Sequence, residues 1–138
     1  MEPSDVPNPQ RKANTDLTIK ITHAAVTHVD LLYAQGLHQN NRRHVKPPFI
    51  LGTEFAGIVK SSSPSSSFKP GARVFGAGLG AYAETICVPE TSVRHASEQW
   101  TLAEASAVGA SGAVSYGALV SVAQMKAGGT LRLRANCT

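Results

Sequence analysis

The sequence has no apolar run near the roughly 18 residues that a membrane-spanning helix needs. Its opening, MEPSDVPNPQRKANTD, contains no apolar core of the kind a secretory leader carries. There are two cysteines, Cys87 and Cys137, with no C-x-x-C spacing, which argues against both a disulfide framework and a zinc knuckle. Aromatic residues are few: one Trp, three Tyr and four Phe. The net charge is only +4, and the basic residues are scattered at Arg11-Lys12, Arg42-Arg43, Arg132 and Arg134. A nucleic-acid surface combines a basic stripe with stacking rings, so no nucleic acid is expected as a partner. These absences lead to the expectation of a reduced, cytoplasmic protein that engages no membrane.

What remains is a globular composition, 42% hydrophobic and 16% charged over 138 residues, enough for one domain with its own core. Residues 1–16 hold three prolines and read as a polar tail. Residues 17–22 (LTIKIT) alternate apolar and polar, the pattern of a half-buried strand. In THVDLLYAQG, Thr27 is placed as an N-cap, Asp30 as a capping-box acid and Gly36 as the stop of a two-turn helix. LHQNNRRHVKPP reads as a polar loop. Residues 49–60 (FILGTEFAGIVK) read as the next strand, with Gly52 and Gly57 marking bends or bulges.

A serine-rich loop (61–67), a Pro70-Gly71 turn, a short strand and a glycine turn before a further strand (GAGLGAYAETICVP) follow. Thr101 and Glu104 stand in capping-box spacing, and residues 111–125 read as a longer apolar helix. TLRLRA alternates once more. Short strands divided by glycine turns, then helices, predict a mostly β fold: a small barrel with C-terminal helices.

Few residues are arranged for chemistry. Gly76, Gly78 and Gly80 fall one residue short of G-x-G-x-x-G, and a strand rather than a helix follows, so a turn is the better reading than a phosphate site. His23, His28, His38, His44 and His95 lack metal-ligand spacing. No serine stands in a nucleophile elbow. Glu54 is the oddity, a single acid inside an apolar run that needs a partner or water.

AAVTHVDLLYAQGL, PFILGTEFAGIV, FKPGARVFG, GLGAYAETICVP and AVSYGALV, in this order and spacing, closely resemble the medium-chain dehydrogenase/reductase superfamily on its zinc-free quinone-oxidoreductase (zeta-crystallin-like) branch. The resemblance runs from about Asp16 to Gly129. It implies a GroES-like partial β-barrel over residues 17–124, with residues 125–138 as a truncated start of the NADPH-binding Rossmann domain and the rest of that domain missing. Arg132 and Arg134 would occupy one face of a strand that is normally buried on both, so a truncated form is expected.

In zinc alcohol dehydrogenases of this superfamily a cysteine sits where this chain has Thr27 and a histidine where it has Thr53. A hydroxyl binds zinc poorly beside thiolate or imidazole, so no zinc is expected. By resemblance Thr27, His28, Asp30, Thr53, Glu54 and Ser111 would border the substrate and cofactor cleft, while capping alone also explains Thr27 and Asp30. Two departures stand out: Leu32 occupies a common tyrosine position, with Tyr33 beside it, and Val114 a common threonine position. No catalytic side chain is identified. The implied substrate is a quinone or enone and the implied cofactor NADPH. The expected alternative is a non-enzymatic interaction module or inactive remnant, with exposed apolar surface driving homodimerisation or self-association.

Overall fold

A computed structural model describes residues 5–11, 16–43 and 45–132. Its longest strand is β1 (Asp16–Ala25), where Leu17 and Ile19 are wholly buried and Lys20 faces out, as the alternation of LTIKIT requires. After α1 (His28–Ala34) and the short α2 (Gln39–Arg43) come β2 (Glu54–Ser61), β3 (Arg73–Ala77), β4 (Thr85–Pro89) and β5 (Val93–His95). Helices α3 (Leu102–Ser106) and α4 (Ser111–Tyr116) follow, the latter continuing as a π-helical segment, Gly117–Val122. All pairings are antiparallel, in the order β4-β1-β2-β3-β5. The two edge strands are consecutive in sequence, joined by one 3₁₀ turn, Glu90–Ser92, so the sheet curls until its edges approach. The GroES-like partial barrel expected from the sequence is the fold observed.

Its core is Leu17, Ile19, Phe55, Val59, Phe68, Val74, Ala81, Ile86, Val88 and Val93. Phe68 enters from the end of the serine-rich loop and stacks on His95 at a centroid distance of 4.5 Å. Buried Ser66 holds that loop down: its hydroxyl donates to Glu90 Oε2 (2.6 Å) and accepts the Phe68 N–H (3.1 Å). Helix α3 packs on β1, β2 and β3, with Ala105 buried. The Thr101 capping box is formed: Glu104 takes the Thr101 N–H and hydroxyl, which pulls its pKa below the ordinary carboxylate value.

Several expectations are corrected. The strand expected over 49–60 begins only at Glu54, because residues 51–53 bond instead to the glycine loop. The polar loop after Gly36 contains α2. The β1–β2 pairing has two register shifts: Lys60 of β2 is skipped between the Thr18 and Ile19 pairs, and Thr22 of β1 is skipped opposite Gly57 and Ala56, so an irregularity does fall beside Gly57. The apolar helix expected over 111–125 leaves α-helical geometry after Tyr116 and ends at Val122. Residues 130–132 are not a strand, and the remainder of TLRLRA, with Arg134 and Cys137, lies outside the described residues, as does His44.

Gly57 is required by clearance rather than by a turn: a Cβ there would lie 2.1 Å from the Lys20 carbonyl oxygen. Gly57→Ala is therefore expected to destabilise the barrel by about 2–3 kcal/mol, through forced separation of β1 and β2. Gly117→Ala, where nothing lies within 4 Å, should change stability by no more than about 1 kcal/mol, in the stabilising direction. Urea unfolding midpoints of the two variants check the contrast.

Candidate functional site

Asp30 is 4% exposed yet carries a carboxylate, so its setting must supply hydrogen bonds. It receives four. Oδ2 accepts the Thr27 N–H (2.8 Å), the Thr27 hydroxyl (3.0 Å) and the Tyr82 hydroxyl (3.0 Å); Oδ1 accepts the Thr53 hydroxyl (3.0 Å). The first two follow from the local turn, since Thr27 is the N-cap of α1 and Asp30 its third residue. The other two come from distant chain.

The glycine loop delivers Tyr82. Gly78 N–H bonds to the Thr53 carbonyl, Gly80 and Ala81 N–H groups to that of Gly52, and the Tyr82 N–H to that of Leu51. This zipper needs glycine at position 52, whose φ is +92° and where a Cβ would lie 2.6 Å from the Tyr82 backbone nitrogen. It sets the Tyr82 ring against Gly52, with its hydroxyl also 3.3 Å from the Ala25 carbonyl at the end of β1. The nearer acceptor, Asp30, takes the proton. Burial, the hydrogen bond to Asp30 and the adjacent negative charge push the Tyr82 phenol up to about 12.

Of the residues expected from the sequence, Thr27, Asp30 and Thr53 are thus brought together. His28 is exposed beside them at the start of α1, next to the exposed apolar side chains of Val26 and Val29. Glu54 and Ser111 form a separate pair. Glu54 is 2% exposed, and its Oε1 accepts the Ser111 N–H (3.0 Å) and the Ser111 hydroxyl. Its partner is a helix-terminal serine, not an arginine. Its Oε2 has no partner among the described residues.

Tyr82 was not singled out from the sequence; the only available signal was its place directly after a turn glycine and Ala81. Among the described residues no three His, Cys, Asp or Glu side chains are grouped so as to hold a metal ion. The glycine loop offers no fan of free donors to a pyrophosphate, because four of its N–H groups are already bonded to residues 51–53.

The raised phenol gives a direct readout of this cluster. Titrated by tyrosinate absorbance, the protein should show one ionisation near 12 that disappears in Tyr82→Phe and moves down toward the ordinary value in Asp30→Asn. Because the folded-state value lies above the unfolded one, this tyrosine's contribution to stability is complete below about pH 10 and is lost as pH rises through about 12.

The sequence profile of the alcohol dehydrogenase GroES-like domain family matches residues 13–98. A probable quinone oxidoreductase of Schizosaccharomyces pombe is 31% identical over 134 residues, 95% of this chain and 38% of that protein. The crystal structure of a probable oxidoreductase from Mycobacterium abscessus superposes with a TM-score of 0.82 at 31% identity, covering 90% of this chain and 39% of the other. The Escherichia coli quinone oxidoreductase, determined in complex with NADPH, shares the fold at 24% identity and a TM-score of 0.71, with 83% of this chain and 35% of that one covered. The chain therefore spans well under half the length of these relatives. It belongs to the alcohol dehydrogenase GroES-like domain family, and over its length it is similar to the matched part of these oxidoreductases.

Proposed function

We propose that this chain is the acceptor-side domain of a zinc-independent, NADPH-dependent reductase of quinones or enones, with residues 17–124 as the barrel that shapes the acceptor pocket. The observation that carries this reading is the Asp30 cluster. Thr27 and Thr53 stand where zinc-dependent relatives of the resemblance place cysteine and histidine, and each donates its hydroxyl proton to the same carboxylate. Neutral hydroxyls committed to Asp30 are a poor donor set for zinc. They suit a pocket wall that presents hydroxyl lone pairs and the neighbouring apolar side chains of Val26 and Val29 to a flat, conjugated molecule.

The coenzyme is a different matter. NADPH supplies hydride in such reductases, but the described residues hold no phosphate cradle, since the loop N–H groups are taken within the barrel. No reduction step is assigned to this chain by itself. His28, exposed beside Thr27, borders the acceptor in this proposal, and Glu54 with Ser111 belongs to its cleft only by resemblance.

A second reading, a non-enzymatic interaction module, is favoured by one observation. Val114, Tyr116, Val120 and Val122 are exposed along α4 and its continuation, with Val122 82% accessible. A docked second copy would bury them.

The purified chain is expected to show no appreciable NADPH oxidation with a soluble quinone, and saturable quinone-induced shifts of the Thr27, His28 and Thr53 amide resonances. Clear turnover by the chain alone would overturn the division of labour. Absence of shifts at those three residues, together with a stable dimer in size-exclusion chromatography, would favour the interaction module.

A further inference from the structure

Residues 111–132 include no buried residue. A segment with so little packing has no hydrophobic reason to keep one direction. Two close contacts nevertheless fix where it starts. Gly109 passes so near β3 that a Cβ there would lie 2.2 Å from the Gly76 carbonyl oxygen. Two residues later, Ser111 gives its N–H and its hydroxyl to Glu54 Oε1. Gly76 pairs with Phe55, and Ala77 with Glu54, so the two contacts sit on adjacent rungs of the β2–β3 ladder.

Ser111 is the first residue of α4, and a first-turn N–H has no acceptor within its own helix. Ala110, at the N-cap, has no side chain able to provide one. Glu54 does so from the barrel, and from a fixed place: it is paired with Ala25 on one side and Ala77 on the other. For β2 alone this carboxylate is unfavourable, because it is buried and Oε2 is unmatched among the described residues. Its favourable interactions are the two that hold Ser111.

We propose that Glu54 is a positioning residue that fixes the direction in which α4 leaves the barrel, with the Ser111 hydroxyl as its specific partner. α4 carries the exposed side chains of Val114 and Tyr116, so, with the chain brought against β3 at Gly109, the orientation of that face follows from this pair of hydrogen bonds.

Amide hydrogen exchange on the full chain tests it. Ser111→Ala, at an exposed position that does not threaten the fold, should speed exchange of the amides of residues 114–120 about tenfold, the loss expected for a hydrogen bond to a charged group. Ser111→Thr, which keeps the hydroxyl, should restore protection, and Glu54→Gln, which keeps one acceptor oxygen, should retain most of it. Exchange in β2 and β3 should be unchanged in both serine variants. The proposal is overturned if Ser111→Ala and Ser111→Thr exchange alike, or if α4 amides of the unmodified protein are already unprotected. None of these readouts depends on reductase activity.

Discussion

The carboxylate of Asp30 is the interaction on which the site end of the barrel depends. One buried side chain draws together the start of α1 through Thr27, the segment before β2 through Thr53, and the glycine loop through Tyr82. A carboxylate this far from water is stable only when its lone pairs are used, and four donors use them. The arrangement is mutually supporting. Removing any one donor leaves the charge less compensated, and removing the charge leaves three hydroxyls without their common acceptor.

The same cluster explains why the glycine-rich stretch is structural. Its N–H groups zip onto the carbonyls of residues 51–53, and Gly52 provides both the positive φ and the clearance that let Tyr82 approach and reach Asp30. A glycine loop that binds phosphate must leave its N–H groups free and precede a helix; this one does neither. Backbone clearance recurs at Gly57 against Lys20 and at Gly109 against Gly76. In each case the missing side chain sets how closely two segments approach, and so which side chains can meet.

The two acids of the site end are held differently. Asp30 is satisfied on both oxygens, which makes it a junction, while Glu54 uses one oxygen among the described residues, on the first residue of α4. Between residues 112 and 132 no residue is buried and several apolar side chains are exposed, so that surface is available to whatever it meets. The relatives that share this fold are much longer than the matched region, and activity is a property of those whole proteins.

Much of this was legible in the sequence. Alternation in LTIKIT placed Leu17 and Ile19 in the core, and Thr-x-x-Asp and Thr-x-x-Glu spacings marked both capping boxes, because these signals act over a few residues. The ordered family segments identified the barrel. What spacing could not show were the contacts between residues far apart: Tyr82 with Asp30 across 52 positions, Ser111 with Glu54 across 57, and Ser66 with Glu90 beneath a loop that looked featureless. Nor did periodicity reveal that β2 begins at Glu54 rather than at Phe49, since the preceding residues exchange sheet pairing for bonds to the glycine loop. The sequence by itself determined the first strand, the caps and the family, each carried by local pattern. Only the tertiary structure decided which donors reach Asp30 and Glu54, because that depends on sheet register and on the closeness that glycine permits.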